Sequence, residues 1–110
     1  MKRFHHIGLV AREPQPGEMY FESLRCWGTD PSADFNHVEW VRFQPDSPLA
    51  DTPVAKMPHV SWQVDDLDRE LQGKDVAVGP IEAAPGVRIA YFFSDGALVE
   101  YLELQTSVGS

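Results

Sequence analysis

The chain repeats itself. His6-Ile7-Gly8-Leu9-Val10-Ala11 aligns with His59-Val60-Ser61-Trp62-Gln63-Val64, each a histidine opening a strand that leads towards a helix. Further on, Thr29-Asp30, a turn and Val38-Glu39-Trp40-Val41 align with Ser94-Asp95, a turn and Val99-Glu100-Tyr101-Leu102. Such a repeat constrains the fold more than any single motif, because each copy is one supersecondary unit that must pack on the other. Each half carries a His near its start and a Glu in its final strand. His6 and Glu39 lie 33 residues apart, whereas His59 and Glu100 lie 41 apart. The shortfall of eight residues matches one strand with its turn, since a strand has about 5–6 residues. The first half therefore reads as a copy trimmed by a strand.

Local patterning fills in the two copies. Residues 4–11 predict a strand that Arg12-Glu13-Pro14-Gln15-Pro16-Gly17 stops. Across 18–25, Met19, Tyr20, Phe21 and Leu24 have helical spacing and predict a short helix. Residues 36–43 predict the next strand. The proline-bearing stretch 44–56 reads as a linker and not a packed element. In the second copy, strand 58–64 leads to a helix N-capped by Asp65 or Asp66. That helix carries Leu67 and Leu71 and is ended by Gly73. Strands follow at 75–81, 87–93 and 97–104, with Pro80 marking an edge or a strand end. Residues 105–110 read as a frayed tail. The expectation is one domain over 1–110, with module one at about 1–45, a linker at 46–57 and module two at 58–105.

Composition limits the partners. With 43% hydrophobic residues the chain can bury a core, and 17 acidic against 9 basic side chains leave a net charge of −8. That excess argues against nucleic-acid and anionic-membrane partners, which need clustered Lys and Arg. No apolar run approaches the ~20 residues of a membrane span. The N-terminus has no signal-peptide apolar stretch. The lone Cys26 cannot form an internal disulfide, which fits a reducing cytoplasm, and it reads as a buried small hydrophobe.

The ordered pair of His-strand-helix and D-[PG]-…-[VI]-E-[WYL] motifs resembles the vicinal oxygen chelate superfamily, which includes the glyoxalases, the bleomycin resistance proteins and the extradiol dioxygenases. The resemblance spans about residues 4–104 and is strongest over Pro58–Leu71 and Ser94–Glu103. It implies an α+β fold of two tandem βαβββ-type modules, the first one trimmed. Their sheets would form a cupped, partly open β-barrel with helices outside, in a homodimer that repairs the shortened half.

Strand parity then assigns faces. Val60, Trp62 and Val64 form an apolar face for the helix, which turns His59, Ser61 and Gln63 into the cup. His6 takes the same side by alignment, and His5 the opposite side with Ile7 and Leu9; a slip of one residue would exchange the two histidines. Glu100 shares a face with Leu98, Leu102 and Leu104, where an unpaired charge is costly. Two imidazoles and two carboxylates suit a divalent metal ion such as Zn, Ni, Fe, Co or Mn. By resemblance the ligand set is His6, Glu39, His59 and Glu100, with Glu100 or Glu39 as the catalytic base. The resemblance implies a metal-dependent lyase, isomerase or epimerase acting on a small oxygenated metabolite through a metal-stabilised enediolate. A metal-free binding or sequestration protein, like the bleomycin resistance proteins, is the alternative. Plainer roles stay open: strand histidines bonded to backbone, and Glu39 paired at the surface with His37 or Arg42. Arg42, Arg88, Gln63 and Tyr91 are candidates to hold a substrate carboxylate, and Trp27, Trp40 and Trp62 to pack the core or the cup wall.

Overall fold

The computed structural model describes residues 1–105, so the expected frayed tail lies outside the described residues but for Gln105. The strands are β1 (Lys2–Val10), β2 (Met19–Phe21), β3 (Cys26–Gly28), β4 (Val38–Phe43), β5 (His59–Val64), β6 (Val76–Ala84), β7 (Val87–Ser94) and β8 (Ala97–Leu104), with one α-helix, α1 (Leu67–Glu70). All eight join one sheet in the order β2-β3-β4-β1-β5-β8-β7-β6. The order is that of two copies placed back to back. Each first strand pairs in parallel with its own last strand, β1 with β4 and β5 with β8, and the copies meet where β1 and β5 run antiparallel. The sheet curls into a half-barrel: Ser23 Oγ, beyond β2 at one edge, donates to the Ala83 carbonyl of β6 at the other edge at 2.8 Å. Among the described residues no helix is long and apolar enough to cross a membrane.

The first copy is trimmed, but no strand is missing. β1, β2, β3 and β4 match β5, β6, β7 and β8 one for one. What the first copy lacks is the helix, and its β2 and β3 have 3 residues each where β6 has 9 and β7 has 8. The length deficit is spread over a helix and two strands and is partly offset by a longer connection between β3 and β4.

The helix expected at 18–25 is a hairpin instead. Met19, Tyr20 and Phe21 pair with Gly28, Trp27 and Cys26, and a 3-10 turn at Glu22–Leu24 closes through Arg25 at φ 47°. Three consecutive apolar residues satisfy either period, and a helix this short is not stable alone. Pairing with β3 decides the outcome.

The second copy keeps its helix because its end is pinned. Asp66 caps it by accepting from the Arg69 amide at 3.2 Å. Glu103 of β8 accepts from the Leu67 amide at 2.8 Å and is approached by Arg88 at 3.4 Å. Leu67 and Leu71 then pack on Val64, Ala90, Phe92 and Tyr101, forming a core outside the curl. The first copy has no such cover. Its outer face leaves Phe4 46%, Ile7 37% and Trp40 38% exposed. The three tryptophans lie on this outer side and none lines the cup: Trp62 packs edge-on to Phe4, and Trp27 lies under Arg42 at 4.0 Å. Their odd register puts them opposite the histidines and glutamates.

The second core lines the cup, and the stretch read as a linker is part of it. Leu49 and Val54 are buried against Leu24, Ile89, Tyr91 and Leu102. The stretch is a series of turns whose amides bond carbonyls three residues back, from Ser47 to Gln44, Ala50 to Ser47 and Thr52 to Leu49. Its prolines shape turns that cost no backbone donors. A Leu49→Ala variant is expected to lose about 2–5 kcal/mol in urea unfolding. A residue of a free linker would change stability by less than about 0.5 kcal/mol.

Candidate metal centre

The register across β1 and β5 places the site. Gly8 pairs with His59 and His6 with Ser61. On the flanks, Gly8 pairs with Glu39 of β4 and Ser61 with Glu100 of β8. Two rows therefore cross the sheet, Glu39–Gly8–His59 and His6–Ser61–Glu100. Each puts a small residue between two long ones. The small residues are needed, because the long side chains converge above them. A Cβ on Gly8 would overlap the His59 ring, and one on Gly28 would approach Glu39 Oε2 to 2.9 Å.

All four expected residues meet on the inner face of the cup. His6 Nε2 lies 3.1 Å from Glu39 Oε1 and 3.4 Å from Glu100 Oε1, and His59 Nε2 lies 3.6 Å from the same Glu100 oxygen. His6, His59 and Glu100 are buried and offer ligand atoms within 4.8 Å of one another. Glu39 is less buried, with 19% of its side chain exposed, and touches only His6 of this group. Glu39 thus pairs with neither His37 nor Arg42, the surface partners that its sequence neighbours offered.

The approaches are close without being hydrogen bonds. His6 Nε2, both ring nitrogens of His59, Ser61 Oγ and Glu100 Oε1 are buried with no hydrogen-bond partner. Orphaned buried polar atoms are rare in folded proteins and costly. Here they converge on one point. Burial works against charge on His6, yet Glu39 and Glu100 outweigh it and raise its pKa. Burial also opposes ionisation of Glu100, but His59 and His6 hold its carboxyl at about 2. The pocket thus attracts positive charge, and its donors are those of a first-row divalent ion with ligands about 2.0–2.2 Å away.

His5 faces the cup and not the opposite side that parity predicts. A β-bulge between Phe4 and His6 inserts His5 as an unpaired residue, and both imidazoles face the cup. His5 Nδ1 lies 2.7 Å from His6 Nδ1. Burial, and then His6, hold the His5 pKa down. A neutral His5 accepting from His6 Nδ1–H leaves the Nε2 lone pair directed at the site, the second-shell arrangement that metal-bound histidines use. The adjacent histidines were the one available signal, and a bulge cannot be read from parity.

Of the other candidates, only Tyr91 lines the cavity, its ring centroid 5.3 Å from that of His59. Arg42 is held by both oxygens of Glu18 at 2.8 and 3.0 Å, and Arg88 by Asp68 at 3.1 Å. Gln63 lies outside the cavity wall. Cys26 is in the wall, but burial pushes its thiol up to about 12, so it is no nucleophile.

Two modules share one curled sheet, each contributing a His from its first strand and a Glu from its last, the cupped arrangement expected from the sequence. Solved structures carry the same fold. The chain is similar to methylmalonyl-CoA epimerase from Mycobacterium tuberculosis, with a TM-score of 0.63 at 15% identity over 97% of this chain and 91% of that one. It is also similar to a hypothetical protein from Bacillus halodurans, with a TM-score of 0.65 at 14% identity over 97% of both chains. No family model matches the sequence, and no curated protein does.

Gly8 offers a direct check on this geometry. Gly8→Ala is expected to force the His59 ring aside, costing about 1–3 kcal/mol in chemical denaturation and shifting the His59 ring resonances in NMR spectra. An unperturbed His59 would show that the ring does not lie over Gly8.

Proposed function

We propose that the chain is a metal-dependent enzyme that moves a proton at a carbon beside a carbonyl in a small oxygenated metabolite, as an isomerase, epimerase or lyase. The observation that carries this reading is the convergence of unpartnered, buried His6, His59 and Glu100 atoms. A metal-free sequestration protein has no use for such a costly cluster, which favours the enzyme over the binding alternative. His6, His59 and Glu100 would hold a Zn, Ni, Fe, Co or Mn ion, with Glu39 as a further ligand.

A bound divalent ion supplies a Lewis acid that acidifies a C–H next to a coordinated carbonyl. The protein supplies the rest. Glu39 is the better placed of the two glutamates to act as base. It faces the cavity and is partly exposed, and its contact with the site residues is with His6. Glu100 is fully enclosed and held ionised, which suits a permanent ligand. His5 keeps His6 oriented, and the apolar walls exclude water from the proton in transit. We place this chemistry in the cytoplasm, where the lone buried Cys26 stays a thiol.

Protein purified without a His-tag is expected to carry one divalent ion per chain. His59→Ala and Glu100→Gln should abolish binding in calorimetric titration. Glu39→Gln should weaken ion binding less than either of those variants does, while stopping exchange of the substrate C–H for deuterium. A wild-type protein that takes up none of these ions contradicts the enzyme reading.

We further propose that the chain forms a homodimer through the outer face of module one. The support is the exposure of Phe4, Ile7 and Trp40 where the second copy is covered by α1. Sedimentation should give twice the chain mass, and Trp40→Glu should give the monomer. A wild-type monomer at every concentration contradicts it.

A further inference from the structure

The cavity beside the four site residues has a volume of about 180 Å³. Its polar groups are gathered at one end: the three histidines, Glu39, Glu100 and Tyr91. The other walls are hydrocarbon, with Phe21, Leu24, Phe43, Val54, Ile89 and Leu102 prominent. Among the described residues no lysine or arginine lines it, and the arginines in or next to its strands are engaged elsewhere, Arg3 by Asp65, Arg25 by Asp46, Arg42 by Glu18 and Arg88 by Asp68. A ligand carboxylate or phosphate against the hydrocarbon walls would be buried with no side-chain cation to meet it, away from the metal site and its two glutamates. That is a severe penalty. An apolar cavity of about 150 Å³ holds a benzene ring, so the room here is enough for a ring-sized body.

From this we infer that the group taken into the cup is uncharged and mainly hydrocarbon, about the size of one six-membered ring, with the carbonyl end of the substrate at the histidines. The inference rests on the metal reading for the carbonyl end but not for the body. Any charged portion of a substrate stays outside the mouth.

Two arms separate the claims. In metal-free protein, toluene should shift the methyl resonances of Ile89, Leu102 and Val41 in NMR spectra, whether or not the site binds a metal. No shift at these methyls overturns the inference. In zinc-loaded protein, calorimetry compares acetohydroxamate, benzohydroxamate and 4-carboxybenzohydroxamate, which share a two-oxygen head and differ in the body. Benzohydroxamate should bind at least tenfold more tightly than acetohydroxamate, and the added carboxylate should remove that gain. Equal binding of the first two, or a preference for the carboxylate, overturns the inference. Ala83→Phe, on edge strand β6, narrows the cavity away from the metal ligands. It should erase the preference for benzohydroxamate while leaving zinc affinity unchanged; a preference that survives would place the ring elsewhere and overturn the inference. Failure to bind zinc counts against the proposed function and leaves the toluene arm to judge the cavity.

Discussion

The antiparallel register of β1 on β5 is the constraint from which the site follows. Once His6 faces Ser61 and Gly8 faces His59, the parallel neighbours β4 and β8 have only to keep their own pairing to deliver Glu39 and Glu100. Each copy supplies half of the donors, and neither half can form a centre alone. A one-residue slip would turn all of one copy's donors to the outer face. The apolar residues between them, Ile7 and Leu9 in β1 and Val60 and Trp62 in β5, oppose such a slip, because it would turn them into the cup.

The same geometry explains where the molecule carries its cost. Buried charge is unfavourable unless matched, and His6, His59 and Glu100 sit among hydrocarbon with several lone pairs unmet. The inner core of Leu24, Leu49, Val54 and Leu102 and the outer core under α1 hold the sheet in the curl that forces these groups together. A proton on His6 relieves part of the cost, since Glu39 and Glu100 favour it. A divalent cation relieves more, with ligands supplied from both copies. Two of the acidic residues in a chain of net charge −8 thus lie inside the cup, where the proposed metal would offset their charge.

Much of this was legible in the sequence because the repeat is visible in residue types. The pairs His6 with His59 and Glu39 with Glu100 can be aligned by eye, and strand parity put three of the four side chains of the site on the correct face without further information. Glu39 was the ambiguous one, since its neighbours His37 and Arg42 offered partners, and only the sheet shows that it reaches His6. Other features depend on tertiary pairing. The bulge that turns His5 inward leaves no mark on parity. Met19-Tyr20-Phe21 fits helix and strand alike until β3 is beside it. The buried roles of Leu49 and Val54 are hidden among prolines. A length difference reports how many residues are absent, not which element they formed, so a lost helix and two shortened strands passed for a lost strand.

The central claim is that the two copies build one metal site at the β1–β5 seam. The most direct measurement is anomalous diffraction from crystals soaked in zinc. The account predicts one strong peak per chain, about 2.0–2.2 Å from His6 Nε2, a ring nitrogen of His59 and a Glu100 oxygen. A peak confined to other residues, or none at these three, would contradict it.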